Sequence, residues 1–280
     1  MGFGSYDVDT ARTRSVAMGY ADRSVNDIFS RELNEELNPK GVILRESRDS
    51  EEHPNSIPVI IGLDVTGSMG HIPHHMIKDG LNRMMELVLG KGLQDVQIML
   101  TAVGDHECDD APLQITQFES NDEILDKWLK KFWIERGGGG NGGESYMLPW
   151  YFGMKHTVID SFERRNKKGF IFTIGDEPVL PNIPKSALNS FLGSGEKDYT
   201  TRELLEEASK MYHIYHIHVR EGSNGRKQKV VDGWTDLLGE NLIIAEDHRR
   251  IPELIAEKIL QVSTDVGIDI DSMPTEPERN

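Results

Sequence analysis

Three stretches of this sequence place oxygen-bearing side chains where a chain would turn. The first is Asp64-Val-Thr-Gly-Ser68, directly after the apolar run Ile57–Leu63. One carboxylate and two hydroxyls fall at i, i+2 and i+4. Where a strand turns into a helix, that spacing can aim all three at one point, with Gly67 and Gly70 permitting a tight path. A hard cation such as Mg2+ takes an all-oxygen shell of this kind. The second stretch, Gly175-Asp-Glu-Pro178, sets Asp176 after another apolar run. The third spans residues 137–145, with six glycines in the seven positions 137–143, then Glu144 and Ser145. Its glycines suggest backbone in close approach, and Glu144 and Asn141 are its candidate donors.

The same residues admit other chemistries. Asp64-Val-Thr-Gly-Ser68 resembles the D-x-T-G-T of haloacid-dehalogenase-like ATPases, in which the aspartate attacks phosphorus. The second acid expected four residues after Asp176 is missing, because Leu180 stands there. A hydrolase reading would use Ser68, Asp176 and a histidine near 213–218. Its G-x-S-x-G elbow needs glycine at position 66, which is Thr66. His71, His74 and His75 could suggest zinc, but no matching Cys/His pair follows at zinc spacing. Each of these three chemistries lacks a part, and the expected function is non-catalytic.

These loops need a scaffold. Ile57–Leu63, Val96–Val103, Leu113–Phe118, Gly169–Ile174, His213–Val219 and Asn241–Ala245 read as strands, short apolar runs rich in β-branched residues. Helical stripes run over Ile72–Leu89, Ile124–Trp133, Tyr146–Phe162, Thr201–Met211 and Pro252–Val262. Alternation of this kind predicts an α/β fold: a doubly wound, mostly parallel, Rossmann-like sheet with helices on both faces. In such sheets ligands sit at the carboxyl ends of the strands, near the point where strand order reverses.

Residues 57–265 form the expected domain. Residues 1–56 read as an N-terminal arm with a short helix over Val25–Leu37, more suited to packing on its own domain than on a partner. Residues 266–280 read as a loose acidic tail. Lys and Arg total 31 against 47 Asp and Glu, a formal charge of -16. A surface this acidic repels phosphate backbones and argues against nucleic acid as a partner. The lone cysteine, Cys108, precludes an intrachain disulfide. With no run of about 18 apolar residues and no secretory leader, a cytoplasmic location without membrane attachment is expected.

Together the motifs resemble the von Willebrand factor A (vWA) family over roughly Ile57 to Val262. Asp64, Thr66 and Ser68 resemble its D-x-S-x-S/T motif, and Asp176 its third-loop aspartate. Ala102-Val-Gly-Asp-His-Glu107 with the glycine-rich loop resembles a sub-group carrying an RDH-like turn and a GGGDGPE-like loop. The resemblance implies a metal-ion-dependent adhesion site whose hydroxyls and aspartates hold Mg2+ (or Mn2+ or Ca2+). A protein partner's acidic side chain would complete the shell. The second-loop threonine of adhesion-type members has no counterpart here, since no threonine lies between Thr116 and Thr157. Glu144 or Asn141 is its substitute. A third carboxylate would leave excess negative charge and weaken attraction for an acidic partner. The acidic loop with Asp105, His106 and Glu107 is a candidate second partner contact.

Overall fold

The computed structural model describes residues 4–20, 23, 25–70, 72–134 and 142–263. Asn141, His71 and the tail 266–280 lie outside the described residues. Six strands build the central sheet: β1 (Ile57–Asp64), β2 (Val96–Val103), β3 (Leu113–Ile115), β4 (Gly169–Gly175), β5 (Tyr212–Val219) and β6 (Leu242–Ala245). Their order is β6-β5-β4-β1-β2-β3. All neighbours are parallel except β2 and β3. The order reverses at β1, flanked by β4 on one side and β2 on the other, so the switch point falls where Asp64 and Asp176 end their strands.

The sheet is buried on both faces, which is why its central strands read as unbroken apolar runs. Val59, Ile61, Leu63, Phe170 and Phe172 point into one core, while Ile60, Met99, Ile171 and Ile214 point into the other. The principal helices are α1 (Val8–Ala17), α2 (Leu81–Gly90), α3 (Asp122–Leu129), α4 (Leu148–Lys155), α5 (Thr201–Ala208), α6 (Gln228–Leu238) and α7 (Ile251–Ser263). Helices α2, α3 and α7 cover the first face, and α4, α5 and α6 the second. The α/β expectation is met. Among the described residues, no helix is long and apolar enough to cross a membrane.

Several local expectations are corrected. The stretch Tyr146–Phe162 is not one helix. It breaks after Lys155, because the His156 ring turns to the Val42 carbonyl at 3.0 Å and the Ser194 hydroxyl at 2.7 Å. The β-branched Thr157–Ile159 then pairs in parallel with Arg45–Ser47. The helix expected over Val25–Leu37 is reduced to Val25–Ile28 and a 3-10 turn at Glu35–Leu37. Between them, the Ser30 amide donates to the Phe132 carbonyl at 2.9 Å and its hydroxyl to the Glu32 carbonyl at 2.6 Å. A serine that bonds backbone locally competes with helix formation. Ile28, Phe29 and Leu37 are nevertheless buried in the domain's core.

Helix α1 belongs to the stretch read as an arm whose one expected helix lay over Val25–Leu37. The Asp7 carboxylate accepts from the Thr10 amide at 2.7 Å and caps it. Arg14 then pairs with buried Asp122 at 2.8 Å, holding α1 on α3. Only Ala11 of α1 is buried, so the helix left no apolar period to read.

Candidate metal site at the sheet switch point

β1 ends on Asp64, and the Val65 amide still donates to the Val103 carbonyl at 3.2 Å, prolonging the sheet by one bond. Thr66 then opens a 3-10 turn over Gly67–Met69, and Gly70, at φ +55, releases the chain into the next helix. That helix, expected over Ile72–Leu89, runs from Ile72 through a π-turn at Met76–Gly80 into α2.

The turn brings four side chains into one file. The Thr66 amide and hydroxyl donate to Asp64 Oδ1 at 2.8 and 2.6 Å. Thr66 Oγ1 lies 3.2 Å from Ser68 Oγ, which donates to Asp176 Oδ1 at 2.6 Å. The spacing i, i+2, i+4 therefore does aim its oxygens together, and Asp176 meets them from the end of β4. Among the described residues, no lysine, arginine or histidine hydrogen-bonds either aspartate. Burial pushes Asp64 up to about 7, against hydrogen bonds from Thr66 and Tyr146 that favour its charged form.

Tyr146 is a participant that the motifs did not single out. Its hydroxyl donates to Asp64 Oδ2 at 2.5 Å and accepts from the Glu177 amide at 3.3 Å. A side chain at Gly175 would put Cβ 1.9 Å from that hydroxyl, so glycine at the end of β4 admits the tyrosine. The ring packs edge-on against His216 and Trp234, which stack on each other with centroids 3.6 Å apart. Trp234 Nε1 in turn donates to the Glu177 carbonyl at 2.9 Å. The other side of Asp176 is filled by the loop after β5. The Asn224 amide donates to Asp176 Oδ2 at 2.7 Å, and a Cβ on Gly222 would lie 2.4 Å from Asp176 Cβ.

Glu144 comes to the same edge. Its amide donates to the Pro178 carbonyl at 2.9 Å and its carbonyl accepts from the Leu180 amide at 3.0 Å. The side chain is only 4% exposed, and one buried carboxylate oxygen, Oε2, has no hydrogen-bond partner. Burial, then Asp64, Asp109, Asp105 and Glu177, push it up to about 10. Among the described residues, Glu144 is not grouped with both aspartates, and the donor set that fits a hard divalent cation is Asp64, Thr66, Ser68 and Asp176.

The acidic loop read as a candidate partner contact is turned inward in part. Asp105 is fully buried, and its carboxylate accepts from the Glu107 amide at 2.8 Å, so it shapes the turn from within. His106 is half-buried, its Nδ1 2.7 Å from Ser145 Oγ. Glu107 is exposed. The hydrolase arrangement is not formed, since Ser68 meets Asp176 directly. His216 is buried with Nδ1 on Thr173 Oγ1 at 2.9 Å. A further group, Glu221, Asp247 and His248, has ligand-type atoms within 4.8 Å of one another. Asp247 is already gripped there by Arg249 at 2.6 Å.

No protein-family model matches the sequence, and no curated protein is similar to it. Solved structures do resemble the fold. The pilus adhesin SpaC from Lactobacillus rhamnosus GG, in its open conformation, superposes over 76% of this chain with a TM-score of 0.50 and 10% identity. The match spans 31% of the adhesin, so this chain corresponds to under a third of that protein's length. The vWF domain of the type V pili tip protein Mfa5 from Porphyromonas gingivalis aligns over 76% of this chain and 98% of its own, with TM-score 0.45 and 12% identity. At these identities the likeness is one of architecture.

Proposed function

We propose that this chain is a vWA-type module that holds a divalent cation, Mg2+ by preference, and engages a protein partner through it. The observation that carries this is the unbroken file of oxygens from Asp64 through Thr66 and Ser68 to Asp176, spanning two strand ends at the switch point. Those residues would supply the shell, with Tyr146 holding Asp64 from behind and Glu144 adding a further acidic group near Asp64. The cation would offset carboxylates that burial otherwise penalises, and its open position would take a ligand from outside.

Ser68→Ala removes one ligand oxygen at a half-buried site and should leave the fold intact. Calorimetry with Mg2+ and Mn2+ should show binding by the wild type, weaker binding by Ser68→Ala and none by Asp64→Ala. Absence of binding in all three would refute the cation. A metal-independent scaffold of the same fold is the second reading, favoured by the fact that these oxygens already hydrogen-bond one another. Partner capture that survives EDTA would select it.

A further inference from the structure

We propose that Glu221, Asp247 and His248 form a second metal site, separate from the oxygen file at the switch point, that takes Zn2+ or a like borderline cation. The imidazole decides that class. Nitrogen together with carboxylate oxygen suits Zn2+, whereas Mg2+ takes oxygen alone. The site stands whether or not the oxygen file holds an ion.

Neighbouring strands bring the three residues together. β5 and β6 run parallel with Val219 opposite Ala245, and the Arg220 amide still donates to the Ala245 carbonyl at 2.9 Å. Glu221 and Asp247 each stand two residues past those ends, so the ladder delivers them side by side. Asp247 then caps the 3-10 turn His248–Arg250, accepting from the Arg249 amide at 2.9 Å, and the turn directs the His248 ring to Glu221. No local Cys/His spacing announces such a site, because its ligands come from two strand ends. His248 Nδ1 lies 2.7 Å from Glu221 Oε2 and 3.9 Å from Asp247 Oδ1, and one ligand-type atom of each residue lies within 4.8 Å of the others. Tetrahedral ligands at Zn2+ bond lengths stand about 3.4 Å apart, between the two separations from Nδ1, so small side-chain adjustments close the shell. The imidazole is buried, and His75 meets it edge-on with centroids 4.9 Å apart, which fixes the ring in place. Two carboxylates balance a divalent ion, a neutral imidazole adds no charge, and water takes the fourth position. Arg249 competes for Asp247, with Nη2 at 2.6 Å, but its side chain is 68% exposed. An exposed pair of this kind contributes little and yields to a metal–carboxylate bond. Glu221 also begins the loop whose Asn224 amide holds Asp176 Oδ2, so an ion here would stiffen that support.

The test titrates the full, untagged chain with Zn2+ by calorimetry in excess Mg2+, which saturates any all-oxygen position, while 15N NMR follows the histidine ring nitrogens. One Zn2+ should bind per chain and shift His248 Nδ1 as coordination requires. Glu221→Gln, which keeps the size and removes the charge, and His248→Ala should each weaken binding at least about tenfold, since even outer partners of a metal ligand change affinity by about 10–100-fold. Arg249→Met, which releases Asp247, should tighten it. His213→Gln, at the opposite end of β5, should leave it unchanged. Absence of Zn2+ binding, a bound ion that leaves the His248 ring nitrogens unshifted, or equal affinity in Glu221→Gln and wild type overturns the proposal. The ring resonance is assigned in the wild type from its own backbone, so the NMR result decides even where a variant does not fold.

Discussion

Replacing Tyr146 by phenylalanine isolates the tyrosine hydroxyl. The ring stays, with its edge contacts to His216 and Trp234 at 4.9 and 5.6 Å between centroids, so no cavity opens. The hydroxyl's bond to Asp64 Oδ2 at 2.5 Å is lost, along with its acceptance from the Glu177 amide at 3.3 Å. A hydrogen bond to a charged group contributes about 1.5–3 kcal/mol. The longer bond to the amide adds little, so a stability loss of about 2 kcal/mol is expected. The larger effect falls on the cation. Outer partners of a ligand typically change metal affinity by about 10–100-fold. Here Asp64 would lose its bond on Oδ2 while desolvation still opposes its charge. Urea unfolding in EDTA measures the first quantity, and Mg2+ or Mn2+ calorimetry the second. A variant that binds the ion as tightly as wild type would refute the positioning role. A loss of stability with unchanged affinity would leave the hydroxyl a structural hydrogen-bonding group with no part in holding the ion.

Gly222→Ala pushes a methyl against Asp176, whose Cβ and Oδ2 lie 2.4 and 2.6 Å from where that methyl would sit, so Asp176 must move. Overpacking of this kind costs about 1–3 kcal/mol, and ion binding measured by calorimetry should fall with it. The metal-free protein should lose stability as pH rises. Burial raises Asp64 to about 7 and Glu144 to about 10, so the folded state holds protons that the unfolded chain has released. Their contribution is complete below the ordinary carboxyl range and is lost as pH climbs through those values. In EDTA, the urea midpoint of wild type relative to Glu144→Gln should therefore fall between pH 5 and 9, and a rising difference would contradict it. Arg14→Ala strips the ion-pair partner from Asp122, whose side chain is 5% exposed and keeps, among the described residues, only the longer bond from the Asp7 amide at 3.3 Å. It should cost roughly 1–3 kcal/mol, whereas an unchanged melting temperature would show that α1 is dispensable.

Some of this protein was written locally. The runs Ile57–Leu63, Val96–Val103 and Gly169–Ile174 announced buried parallel strands because both faces of each must be apolar. Asp64, Thr66 and Ser68 were legible because their spacing lies within one turn, and Asp176 because it follows a strand directly. Helix α6 also carried a signal, since Val230, Val231, Trp234 and Leu238 are all buried on it, yet it lay in a stretch given no element. Contacts between distant segments were another matter. Tyr146 reaches Asp64 across 82 positions, and only packing could reveal that Gly175 is open to let it through. Asp105 looked like surface because acidic loops are usually solvated, but here the turn folds its carboxylate inward onto the Glu107 amide. Helix α1 gave no apolar period because it is held by a cap and an ion pair with Asp122 rather than by a hydrophobic stripe. Sequence alone determined the strands, the turn and the oxygens it carries. The tertiary structure decided which of those oxygens meet, because long-range contact depends on how the layers pack and leaves no mark on local spacing.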